Sequence, residues 1–385
     1  MDFKSIKKAR KIYAAFKPYK VELSRNLTDA FGRTIFFKPE HRNLTGSFKE
    51  RGVLNTLLNL GNVKGVITAS AGNHGLALSY HAKKIGIPCT IVCPKYTPVA
   101  KLSKIKSLGV NVELSGENFD ESYHYALELQ KKTKQIFVHP FDDPLVIAGQ
   151  GTIGLEVIQE LPEVRSLILP IGGGGLASGV LLAVKELKPR VKVYGVRLNF
   201  SQQNEIHKPI SLADGIAVKK LGSLTGKVIE NYIDDIFTAD EESIAEAILT
   251  ALEMEKLLLE GAAAVTLIPI IKKTIKNTLF PTCLIFSGSN IDISLLSRLI
   301  LRKLRKSSKL TRFRIAVPDK PGMLGLCAST IGQCGGQIIQ TYHDRLDTPT
   351  PNTVGITFLV EVLDKEHSKR IEEQLKKFFG IVESS

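Results

Sequence analysis

The chain has 385 residues, 43% of them hydrophobic, enough to bury a full core and to form two or three domains. Its 52 Lys and Arg against 38 Asp and Glu give a net charge of +14, but the basic clusters lack aromatic interleaving and zinc-finger spacing, which argues against nucleic acid and for a basic surface that attracts small anions. No run of 18 apolar residues occurs, the opening MDFKSIKKARKIYAAF lacks a secretory apolar stretch, and five scattered cysteines fit free thiols, so a cytoplasmic protein outside the membrane is expected.

In chain order, the first unusual stretch is NLTGSFKERG, residues 43–52, where Lys49 follows an aromatic among small and hydroxyl residues. A lysine in so basic a chain is ordinarily a solvated charge, and Glu50 reads as another partly solvated one. From residue 64 onward short apolar runs alternate with helical patterns. GVITAS, CTIVCP, NVELS, QIFVH, SLILPI, KVYGV and TCLIFS read as buried strands, while HGLALSYHAKKIG, PVAKLSKIKSLG and DESYHYALELQKKT read as helices, the second stopped by Gly109. On a strand Cys89 and Cys93 stand roughly 13 Å apart, beyond reach of a disulfide or a shared metal. Such alternation specifies an α/β fold with a mostly parallel sheet covered on both faces, whose ligands bind at the carboxyl ends of strands.

Three strand ends carry unusual residues. TASAGNHG ends a strand at Thr68 or Ala69 and opens a helix that Ser70 can cap; it reads as a carboxylate seat or as an ordinary turn. PIGGGGLASGV puts four glycines between a strand and a helix, a phosphate cup, although Gly172, Gly174 and Ala177 also satisfy a loose dinucleotide fingerprint. LIFSGSNID leaves Ser287 at a strand end, a donor to a ring nitrogen or a turn cap. After the basic helix SLLSRLILRKLRKSSK comes a separate unit of order βαββαβ, the ferredoxin-like arrangement, from about residue 310. A phosphate cup, an anion seat, a strand-end hydroxyl and an upstream lysine are jointly what a phosphorylated aldehyde cofactor needs, the lysine amine condensing with the aldehyde.

Seven stretches, TGSFKERG, ASAGNHG, VHPFDDPLVIAGQGTIGLE, PIGGGGLASG, ADGIAVKKLG, LEGAAAV and FSGSN, occur in the order of a known family. Over residues 20–305 the chain resembles the fold type II pyridoxal-phosphate enzymes, tryptophan synthase β-like, and within them the threonine and serine dehydratases, or threonine ammonia-lyases. The last unit resembles an ACT regulatory domain, with VPDKPGML as its turn. The resemblance implies a catalytic domain at 1–310, with two lobes and the smaller at about 50–150, and an ACT-like domain at 311–385. It implies pyridoxal 5'-phosphate as cofactor, Lys49 as its Schiff-base lysine, Phe48 packed near the ring, Asn73 bonded to the phenolic oxygen, Gly172, Gly173, Gly174 and Gly175 around the phosphate, and Ser287 at the pyridine nitrogen. Ser70, Ala71, Gly72 and His74 fall in the segment that holds the substrate carboxylate.

The implied reaction is α,β-elimination of water from L-threonine and L-serine, giving 2-oxobutanoate or pyruvate and ammonia. Serine racemisation, another β-replacement, or a catalytically silent amino-acid sensor are the alternatives. Ala71 stands where resembling racemases carry a second serine, so racemisation is expected to be negligible. Arg197, Leu198 and Asn199 stand where acidic or small residues are expected, so no metal is assigned although Asp214 is retained. The ACT-like unit implies a homo-oligomer, dimer or tetramer, with isoleucine or valine as effector.

Overall fold

The computed structural model describes residues 2–200, 211–276, 279–345, 350–379 and 382–384. Residues 201–210, part of the departure from the family pattern, lie outside them. Contacts divide the chain into Met1–Asp292 and Ile293–Ser385. The division precedes the expected boundary at 310 because the basic helix Ile293–Lys306 groups with the C-terminal strands.

In the first unit the strands are β1 (Glu22–Leu23), β2 (Ile35–Lys38), β3 (Val66–Ala69), β4 (Cys89–Cys93), β5 (Asn111–Leu114), β6 (Ile136–Phe137), β7 (Ser166–Pro170), β8 (Lys192–Leu198), β9 (Asp235–Ala239) and β10 (Thr282–Ile285). They form a large sheet of order β1-β2-β10-β7-β8-β9, parallel apart from β1, and a small parallel sheet of order β5-β4-β3-β6. All seven strands read from the sequence in this unit are present; β1, β2 and β9 were not read. Every residue of β3, β4, β7 and β10 is buried, which is why each reads as an unbroken apolar run rather than an alternating one.

The topology concentrates strand ends. Strand β10 lies between β2 and β7, and adjacent strands are separated by about 4.8 Å. Lys49 follows β2, Ser287 follows β10, and the four glycines follow β7, so three consecutive strands of one sheet deliver them to the same edge. The small sheet supplies the segment after β3. Its helix Asn73–Ile85 ends at Gly86, whose φ of 75° gives the left-handed cap a side chain resists.

The second unit runs through the helix Ile293–Lys306, then β11 (Leu310–Pro318), helix Met323–Gln333, β12 (Gln337–Asp344), β13 (Thr353–Glu361), helix Lys365–Phe379 and β14 (Val382–Ser384). Its antiparallel sheet has the order β12-β13-β11-β14, the βαββαβ arrangement read from the sequence. Phe313, Ile315 and Val317 alternate inward from β11 and pack with Ile331, Phe358 and Ile371.

Candidate active site

Lys49 opens the helix Lys49–Leu57, whose residues from Glu50 to Leu57 are all buried. A helix buried on all sides requires its charges to be paired within the protein. Arg51 meets that requirement: its guanidinium spans Glu40 at 2.6 Å and Glu156 at 2.8 Å, donates to Thr152 Oγ1 at 2.8 Å, and stacks 4.3 Å from the Tyr13 ring. Lys38 adds a second cation 2.8 Å from Glu156, and the two hold that carboxyl at about 2 against the opposing effect of burial. Glu50 is also buried, against the expectation of a partly solvated charge. Its carboxylate accepts the Thr45 N–H and lies 3.4 Å from His81 Nε2.

The segment ahead of this helix is tied to the end of β10. Phe48 N–H donates to Ser287 O at 2.9 Å, and Ser47 bridges to Gly288. Lys49 Nζ donates to Pro140 O at 2.7 Å and lies 5.2 Å from the Phe48 ring centroid. Burial brings the Lys49 amine down to about 8, with Glu260 pulling the other way, so a fraction is neutral near physiological pH.

The glycine loop reaches Lys49 through the segment that accepts its hydrogen bond. A Cβ on Gly173 would lie 2.4 Å from the Phe141 ring, and one on Gly175 would lie 2.9 Å from the Phe141 backbone, the residue after Pro140. A Cβ on Gly172 would lie 3.0 Å from Ile216 Cα, and one on Gly174, at φ 96°, would lie 2.8 Å from Thr225 Cβ. Two of the loop's carbonyls are occupied: Gly173 O accepts from Thr225 Oγ1 at 2.7 Å, and Gly174 O accepts from Ser178 N–H. Among the described residues the N–H groups of Gly172, Gly173 and Gly174 donate to no protein acceptor. They stand ahead of the helix Gly175–Leu187, whose N-terminus favours an anion.

Asn73 begins the helix after β3. Its Nδ2 donates to Glu260 Oε1 at 2.7 Å and its Oδ1 accepts from Asn290 Nδ2 at 2.9 Å. Ser70 does not cap this helix as expected. Gly72 holds the cap position without a side-chain bond, and Ser70 Oγ instead accepts the Gly72 N–H at 3.3 Å. Ala71 packs on the small-sheet core. Among the described residues none of Ser70, Ala71 and Gly72 bonds to Lys49. His74 is buried and its Nε2 sits 3.0 Å from Val138 O; desolvation, aided by the Lys49 charge, lowers it to about 3 and keeps the ring neutral. Ser287 is 1% exposed at the end of β10.

Glu260 was not singled out from the sequence, although LEGAAAV was quoted as a whole. Burial lifts its carboxyl to about 7. On strand β8 Arg197, where an acidic or small residue was expected, donates to Val218 O and Lys219 O at 3.3 and 3.2 Å, and Asp214 pairs with Lys101. Among the described residues no group of three or more His, Cys, Asp or Glu could hold a metal ion.

Residues 14–288 match the pyridoxal-phosphate dependent enzyme family. The chain belongs to that family. The L-threonine ammonia-lyase of Thermotoga maritima is 40% identical over 364 residues, 91% of this chain and 90% of that protein. The serine racemase of Rattus norvegicus is 38% identical over 291 residues, 70% of this chain and 87% of that protein. The structure of the processed form of threonine deaminase isoform 2 from Solanum lycopersicum matches with a TM-score of 0.67 at 33% identity, covering 72% of this chain and 86% of that one.

The residues present fit the family's cofactor. A glycine turn with unengaged N–H donors ahead of a 13-residue helix suits a phosphate, and a half-buried amine brought down to about 8 suits an aldehyde. Both border Pro140 and Phe141, so one ligand of that size can reach the two.

Proposed function

We propose that the chain is a pyridoxal-phosphate dependent L-threonine ammonia-lyase that also takes L-serine, releasing 2-oxobutanoate or pyruvate and ammonia. The observation that carries this reading is the extent of the likeness: the L-threonine ammonia-lyase of Thermotoga maritima matches over 91% of the chain, the rat serine racemase over 70%. Bound pyridoxal phosphate supplies the electron sink for the carbanion at the substrate's Cα. Lys49 anchors the cofactor and then, as a free amine, accepts the Cα proton; its buried setting keeps enough of it neutral to act as a base. Gly172, Gly173, Gly174 and Gly175 hold the phosphate, and Phe48 packs beside the ring. Asn73 donates to the phenolic oxygen, and Ser287 meets the ring nitrogen as a neutral hydroxyl. Ser70, Ala71, Gly72 and His74 form the segment that holds the substrate carboxylate, with the neutral His74 ring bound to Val138 O.

Ala71 offers no proton donor, so exchange at the opposite face of Cα has no base there. The C-terminal unit reads as an ACT-like regulatory domain in a cytoplasmic homo-oligomer. A cavity of about 240 Å³ lined by Asp319, Lys320, Met323, His343 and Arg345 suits a small amino acid, isoleucine or valine. Steady-state assay of purified protein with L-threonine and L-serine tests both levels. Oxo acid should form from both, D-serine should stay far below ammonia, and branched-chain amino acids should change the rate or the thermal midpoint. Protein that is colourless with added cofactor and makes no oxo acid would refute the enzyme; D-serine forming as fast as ammonia would make it a racemase.

A further inference from the structure

We propose that Glu260 is a positioning residue for Asn73 and the counter-charge of Lys49. This rests on the roles given above to those two residues. Glu260 is 7% exposed. Its N–H donates to Gly288 O at 3.1 Å, and Gly288 bridges Ser47, two residues before Lys49. A Cβ on Gly288 would stand 2.2 Å from Glu260 Oε1, so the carboxyl approaches this backbone as closely as a glycine permits.

The Asn73 amide is fixed from both ends. Its Nδ2 donates to Glu260 Oε1 at 2.7 Å, and its Oδ1 accepts from Asn290 Nδ2, which also donates to Thr45 O at 2.7 Å. Turning the amide over would set oxygen against carboxyl and NH2 against NH2, losing both bonds. One Nδ2 hydrogen remains for a ligand's oxygen.

The charges around Glu260 come from separate elements. Asp214, on the short turn Asp214–Ile216, raises its carboxyl and Lys101, on the helix Val99–Lys106, lowers it. These two are paired with each other, so their effects oppose. His74, neutral by burial, faces Lys49. At Lys49 it is Glu260 that opposes the effect of burial, so Glu260 holds the amine's proton more firmly than burial alone allows. Once the carboxyl ionises near 7, it favours ammonium over amine at Lys49.

The full-length chain freed of cofactor is acylated with acetic anhydride across pH 5–10, and Lys49 labelling is read by peptide mass spectrometry. Glu260→Gln keeps an oxygen for Asn73 but removes the charge, so the Lys49 midpoint should fall by roughly 1 unit. Asn73→Ala keeps the charge and should leave the midpoint in place or raise it. In the loaded enzyme, E260Q should keep KM within about threefold while shifting the pH profile of kcat, whereas E260A should raise KM about tenfold as Asn73 loses its anchor. An unchanged midpoint in E260Q overturns the counter-charge, and an unchanged KM in E260A overturns the positioning. Should E260A fail to fold, an Asn290→Ala variant with unaltered KM overturns the positioning in its place. Labelling needs no cofactor, so these results stand apart from the assay of the wild type for oxo acid, which tests the function itself.

Discussion

On the proposed reading, a hydroxyl at position 287 would set how strongly a bound ring withdraws electrons. A neutral Ser287 does not stabilise a protonated ring nitrogen as a carboxylate would, and with 1% exposure water cannot substitute for it. In that role Ser287 would favour elimination over reactions that need a persistent carbanion. Ser287→Asp should lower dehydratase turnover at least tenfold and raise long-wavelength absorbance when substrate is added; unaltered spectra and rates would remove Ser287 from this role. Residues of this kind can be proposed from the sequence because strand ends in a parallel sheet are where ligands sit. Glu260 was not, since a lone acid before GAAA gives no local sign of burial. Its setting arises from Asn73 and Gly288, 187 and 28 residues away in the chain. Glu50 was misread for the same reason: pairing with Thr45 and His81 exists only once two helices are packed.

The helix Lys49–Leu57 begins with Lys49 and depends on the charge cluster around Arg51. Removing one partner of a buried pair leaves the other uncompensated, which costs about 3 to 5 kcal/mol. Arg51→Met should therefore reduce unfolding free energy in urea by about that amount, with Lys38 limiting the loss by remaining at Glu156. An R51M variant within about 1 kcal/mol of the wild type would show the cluster to be dispensable. At this scale the sequence marks fully buried strands well and short or half-buried ones poorly. Strand β9, DIFTA, has one fully buried residue in five and no clear period, and β2 is a four-residue run beside two turns. Strand β1 has two residues and exists only by pairing with β2.

Across the molecule, buried titratable groups set the response to acid. Desolvation lowers His41 to about 4 and His74 to about 3 from 6.5, so the unfolded chain binds protons that the folded one does not, and stability falls as pH drops from 6.5 toward these values. Glu260 acts in the opposite sense: raised to about 7 from 4.5, it contributes stability at low pH that is lost as pH rises through that window. Two histidines outweigh one carboxyl, so the thermal midpoint should decline between pH 6.5 and 4. Calorimetry at constant ionic strength measures it, and a midpoint that climbs on acidification contradicts the balance.

Strand β10 joins β2 to β7 at the centre of the large sheet, yet it is the last strand of the catalytic unit to be synthesised. On the ribosome the small sheet, complete by residue 137, can form while β2 and β7 still lack the strand between them. The edge that presents the amine and the glycine turn therefore closes only when residues 282–285 emerge. A nascent chain stalled before that point should remain exposed to proteases and chaperones, because both unpaired strand edges stay open.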